Sequence, residues 1–124
     1  MKILISNTSN LAIYEQIIRQ IKDAVIAREI QEGEMLPSIR SLAKDLQISV
    51  ITTKRAYEEL EKEGLIYSVK GKGFYVTKQN MNMLKEKKVQ MLEEELGKLA
   101  AEWKKAGLTK ADMTDYIEVL FEEL

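Results

Sequence analysis

Apolar residues at Tyr14, Ile17, Ile18, Ile21, Ala24 and Val25 recur at intervals of three and four, the spacing of one helix face. The pattern predicts an amphipathic helix over Leu11–Glu29, capped by Asn10 or Ser9, with KILIS before it as a short strand. Gly33 and the only proline, Pro37, break helicity in QEGEMLP. A second stripe, Ile39, Leu42, Ala43 and Leu46, follows Ser38, whose hydroxyl suits a helix cap. After the break at Gln47, Ile48 and Ser49, residues Thr53, Ala56, Tyr57 and Leu60 fall at i, i+3, i+4 and i+7, the inward face of a third helix that ends at Glu63-Gly64. LIYSV and FYVTK are β-rich runs joined by KGKG, a hairpin with lysines at its tip.

From about Met81 the texture changes to Lys, Glu, Met and Leu with few β-branched residues. Val89, Leu92, Leu96, Leu99, Trp103 and Ala106 alternate spacings of three and four, the a/d seam of a coiled-coil-like helix that stops at Gly107. Thr109 then offers a cap, with Asp112 three residues on in a box-like arrangement, and Met113, Ile117, Leu120, Phe121 and Leu124 stripe a last helix. The expected fold class is mainly α with a small β-hairpin. Residues 1–78 read as a winged helix-turn-helix, and residues 79–124 as a helical hairpin that packs against a second copy.

Composition narrows the chemistry. Apolar residues at 45% and charged residues at 31% fit a globular chain, and no apolar run is long enough to span a bilayer. The N-terminus lacks the apolar core of a secretory signal, so a cytoplasmic location is expected. Without cysteine or histidine there are no disulfides, thiolate nucleophiles, imidazole bases or common zinc ligands. KGKG lacks the spacing of a phosphate loop. No cofactor or metal is expected, and an enzyme is disfavoured.

The net charge of −1 conceals an asymmetry: residues 1–78 carry 12 Lys/Arg against 10 Asp/Glu, the remainder 7 against 10. Placement matters more. In ISVITTKRAYEEL, Val50, Ile51, Thr52 and Thr53 crowd the first turn with β-branched side chains that fit a helix poorly. That is where a recognition helix meets base edges, so short hydroxyl and apolar groups suit it despite their propensity. Thr52 can exchange hydrogen bonds with a base or phosphate, and Val50 and Ile51 can pack on a thymine methyl or a sugar. Lys54 and Arg55 follow at once, whereas Glu58, Glu59, Glu61 and Glu63 lie toward the far end, so a polyanion fits only the first half. Ser38 and Ser49 add cap hydroxyls and backbone N–H groups, Arg40 can fork onto phosphate or guanine, and Lys70, Gly71 and Lys72 form a wing tip. The bland alternatives are solvated lysines, Thr52 as a mere helix-start residue, and Arg40 paired with Asp45 or Glu34.

LPSIRSLAKDLQISVITTKRAYEELEKEGLI followed by KGKGFYV resembles the GntR superfamily of bacterial transcription regulators, over about residues 11–78. The short pair of helices that follows is most similar to its YtrA subgroup. The resemblance implies a homodimeric regulator, usually a repressor, on a pseudo-palindromic double-stranded DNA operator, often of a transporter operon. It implies that Arg40, Val50, Ile51, Thr52 and Lys54 face the groove and that Lys70, Gly71 and Lys72 make the wing contact. The family's wing usually reads GKGTFV; here Phe74 replaces the threonine. Val89, Leu92, Leu96, Leu99, Trp103, Ile117, Leu120 and Phe121 are the expected dimerisation residues.

The sequence is compatible with two other readings. The winged helix could be a protein-interaction module whose acidic tail binds a partner. A regulator could also sense a small-molecule effector in an apolar cavity near Trp103.

Overall fold

The computed structural model describes residues 1–124, which form two compact units, Met1–Met81 and Asn82–Leu124. The first contains α1 (Ile13–Ile26), α2 (Ile39–Leu46), α3 (Val50–Lys62), β1 (Ile66–Val69) and β2 (Gly73–Val76). The second contains α4 (Met81–Lys105, from its first residue at the boundary) and α5 (Lys110–Glu123).

α3 is the centre of the first unit and packs on α1, α2 and β1. Its inward face is the one periodicity gives: Thr53, Ala56, Tyr57 and Leu60 are all fully buried, against Ile17 and Ile21 of α1 among the core. Each fully buried Leu or Ile contributes about 1.5–3 kcal/mol of transfer free energy, so truncating Leu60 to alanine removes a large share of a small domain's stability. Thr53 tolerates burial because its hydroxyl donates to the Ser49 carbonyl at 3.1 Å.

The N-terminus departs from the sequence reading. KILIS forms no strand. Its backbone instead pairs with two glutamine side chains of α1: the Gln20 amide exchanges hydrogen bonds with Leu4 N–H and C=O, and the Gln16 amide does the same with Ser6. The α1 cap is Ala12, with no side-chain bond, in place of Asn10 or Ser9; Ser9 Oγ accepts instead from Leu11 N–H. α1 is correspondingly shorter than Leu11–Glu29.

β1 and β2 pair antiparallel, Ile66 opposite Val76 and Val69 opposite Gly73. The segment before α2 adds an edge that the Gly33–Pro37 break does not suggest. Met35 bridges Tyr75, and the N–H groups of Gly33 and Leu36 donate to the carbonyls of Val76 and Phe74. This covers the outer edge of β2, which would otherwise offer unpaired backbone groups.

In the second unit, Thr109 caps α5 in a full capping box with Asp112. The Trp103 indole N–H donates to the Thr109 carbonyl at 2.9 Å, and the ring meets Tyr116 at 6.3 Å between centroids. Trp103 thus closes the turn between the helices. Beyond that turn α4 and α5 do not pack closely along one another, and neither helix buries a single side chain.

Candidate nucleic-acid interface

α2 and α3 begin with the same chemistry. Ser38 Oγ accepts from Ser41 N–H at 3.1 Å, and Ser49 Oγ from Thr52 N–H at 3.0 Å, so both helix N-termini are capped by serine hydroxyls. Between them Gln47 takes the left-handed conformation, φ 54°, which ends α2 and turns the chain into Ser49. A helix-turn-helix results, in which the cap serines, Pro37 and Val50 are exposed while Ile39 and Ile48 are half-buried.

The first turn of α3 carries the most unusual exposure in the unit. Ile51 is 80% exposed and Val50 46%, on a helix whose opposite face is fully buried. Thr52 is half-buried, and its hydroxyl accepts from Ser49 Oγ at 2.7 Å. Lys54 is exposed and lies 3.8 Å from Glu58, a loose surface pair of little energetic weight. Arg40 is exposed on the first turn of α2 and forms no ion pair, with Asp45, Glu34 or any other carboxylate.

Arg55 differs from the free cation that its place in the sequence suggests. Its guanidinium carbon sits 3.8 Å from the centroid of the Tyr14 ring, and its Nη2 donates to the Tyr14 hydroxyl at 3.2 Å. A residue 41 positions earlier in the chain therefore fixes its orientation. No local pattern announces such a pair.

Lys70, Gly71 and Lys72 are exposed at the hairpin tip, where Lys72 N–H donates to the Val69 carbonyl and Gly71 takes φ 77°. A side chain at Gly71 would be strained in that backbone. The hairpin is held against α3 by Glu61, whose carboxylate accepts from Ser68 N–H and Oγ, and by an edge-on contact of Phe74 with Tyr57 at 5.1 Å.

Leu36 and Pro37 tie these parts together. Leu36 N–H donates to the Phe74 carbonyl of β2 at 2.9 Å, and the Pro37 carbonyl accepts from the Tyr57 hydroxyl of α3 at 2.6 Å. The start of α2, the buried side of α3 and the tip-proximal half of β2 thus meet at two adjacent residues. From the sequence Pro37 is only a helix breaker, because the bonds that make this junction join residues far apart in the chain.

The pattern of the gntR family of bacterial regulatory proteins matches residues 13–76. The chain is 34% identical to the transcriptional repressor YtrA of Bacillus subtilis (strain 168), over 94% of this chain and 89% of that protein. Among solved structures it is similar to a GntR family transcriptional regulator from Listeria monocytogenes, with TM-score 0.73, 28% identity, and 92% of this chain and 97% of that one covered. It is also similar to the DNA-binding domain of AraR in complex with operator ORX1, with TM-score 0.55, 25% identity, and 62% and 96% covered. With the family pattern running from Ile13 to Val76 and the YtrA likeness spanning both helical units, the chain belongs to the GntR family of DNA-binding transcription regulators and is not an enzyme.

Proposed function

We propose that two copies of the chain, joined through α4 and α5, repress transcription by seating paired α3 N-termini in the major groove of a pseudo-palindromic operator. The observation that carries this reading is the exposure of Val50 and Ile51 at the start of a helix otherwise anchored in the core. Two large apolar side chains left in water on the same helix start as Lys54 gain from burial against thymine methyls and sugars. Ser38, Ser49 and Thr52 lie at the capped helix starts, where N–H groups and helix dipoles favour phosphate. Lys70 and Lys72, with Gly71 between them, track the backbone or the minor groove. Arg55, held by Tyr14, presents its remaining N–H donors to phosphate.

Dimerisation answers the unburied second unit. Val89, Leu92, Leu96 and Leu99 along α4, and Ile117, Leu120 and Phe121 along α5, are all between 38% and 73% exposed, an arrangement that a lone protomer leaves without a core. A twofold mate covers them, with Trp103 bracing the turn from which both helices diverge. One winged helix reads few base pairs; two, about 34 Å apart, read a palindrome.

Selection of bound DNA from a random pool tests the reading, with half-sites one helical turn apart as the expected result. Recovery of no enriched motif would overturn it. A transporter operon is the first target to examine, because the YtrA-type resemblance implies one. Sedimentation of a fragment ending at Thr77 tests the dimer separately: the fragment should be monomeric where the whole chain is dimeric.

A further inference from the structure

The end of α1 and the residues leaving β2 enclose a cavity of about 280 Å³ in the first unit. Val25, Ile30, Val76 and Met81 form its apolar wall. Its size falls just below the range of pockets for drug-sized ligands, about 300–1,000 Å³, and suits a smaller molecule.

Three polar features of the wall find no use inside the chain. Thr77 lines the cavity, but its Oγ1 has no accessible surface there and no hydrogen-bond partner, in an interior where such groups are nearly always satisfied. Arg28 and Glu32 are exposed at the same cavity and carry opposite charges, yet neither is paired with the other or with any other side chain. Arg28 also occupies a backbone position that suits glycine. It takes φ 59° just past the α1 C-cap, where Arg28 N–H bonds to the Val25 carbonyl and Glu29 N–H to that of Ala24. Glycine would close this turn without the clash of Cβ against the carbonyl, so what arginine contributes is its side chain. A cation does complement the carbonyl end of α1, but one turn earlier it would do so without strain.

We propose that this cavity binds a small zwitterion with a branched apolar tail, of the size of leucine. The carboxylate sits on the Arg28 guanidinium and accepts from the Thr77 hydroxyl once a turn about χ1 brings Oγ1 to the cavity, the ammonium faces Glu32, and the tail rests on Val25, Ile30, Val76 and Met81. One zwitterion of this kind meets both charges at once. Occupancy does not depend on what the protein regulates; use of the pocket as an effector site rests on the operator-binding reading above.

Titration of the full chain with L-leucine, followed by amide resonances, tests occupancy. Millimolar leucine should shift Ile30, Gln31, Val76 and Thr77 saturably. 4-Methylpentanoate, without the ammonium, and 3-methylbutylamine, without the carboxylate, should each bind at least tenfold more weakly. Two variants separate binding from folding. Arg28→Gly relieves the left-handed strain and Thr77→Val removes the unpartnered hydroxyl, so each should melt no lower than the parent while binding leucine at least tenfold more weakly. Absence of a saturable shift, or leucine binding unaltered in both variants, overturns the proposal. An operator gel shift with saturating leucine addresses effector use, and a changed affinity supports it. Unchanged affinity with the pocket filled overturns effector use. If no operator binds at all, the operator reading fails while the titration still decides the pocket.

Discussion

The Tyr57 hydroxyl donates to the Pro37 carbonyl at 2.6 Å, joining the buried face of α3 to the residue before the α2 cap. The same ring meets Phe74 of the hairpin edge-on. Burial pushes the phenol far above its ordinary pKa of 10, so it stays a donor at every working pH. Changing Tyr57 to phenylalanine keeps the ring contacts and leaves the Pro37 carbonyl without this donor. The expected loss is about 1–1.5 kcal/mol in urea denaturation. Operator affinity should fall as well, since Ser38 and Arg40 follow directly on Pro37. A variant as stable as the parent would show that the bond only exchanges with water.

Ile51 is the position at which stability and the proposed recognition can be told apart. At 80% exposure it packs on almost nothing in the free protein, and alanine is the better helix former. Ile51→Ala should therefore keep its denaturation midpoint within about 0.5 kcal/mol of the parent, or above it. Its operator affinity should drop by about 1–3 kcal/mol, the usual cost of one lost base contact. Fluorescence anisotropy on the selected site, repeated with each thymine replaced, locates the contact. Equal affinity on every site would take Ile51 out of the interface.

Arg55 and Tyr14 are coupled across 41 residues. Lysine can supply the charge at position 55 but neither the planar stack nor the fork, so Arg55→Lys should weaken operator binding despite its formal conservatism. Tyr14→Leu should weaken it too, by releasing the guanidinium. A double-mutant cycle is expected to show coupling of about 0.5–1 kcal/mol, as for an exposed cation–π pair. Strict additivity would mean that Tyr14 does not orient Arg55 for DNA.

These cases also mark which interactions the sequence discloses. Thr53, Ala56, Tyr57 and Leu60 declare a buried face through spacing alone, and the outward position of Val50 and Ile51 follows from the same geometry. Ser38, Ser49 and Thr109 are legible as caps because capping is a bond over three residues. The clamp of Gln16 and Gln20 on the N-terminal segment, the Met35–Tyr75 bridge and the Arg55–Tyr14 stack join positions 10 to 41 residues apart. Nothing periodic encodes them. Ala12 in place of Ser9 or Asn10 at the α1 cap follows from the same cause: Gln16 already draws the Ser6–Leu11 loop onto the helix through bonds to Ser6 and Leu11, so a local cap rule is overridden.

The α5 cap gives a pH dependence whose direction follows from its bonds. The Asp112 carboxylate accepts from Thr109 N–H at 2.9 Å, and that backbone bond, then the bond with the Thr109 side chain, holds its pKa below the ordinary 3.8. A carboxyl with a folded pKa below its unfolded value stabilises fully at neutral pH. It loses that contribution as pH falls through 3.8 and on through the lower folded value. Acidification below about pH 4 should therefore fray the first turn of α5. The Thr109 amide resonance, which reports the bond directly, should move in that window and not between pH 5 and 8. In Asp112→Asn the side-chain oxygen can still accept but carries no titrating charge, so this step should vanish from the Thr109 profile. If the same acid transition persists in the asparagine variant, another carboxylate governs the turn.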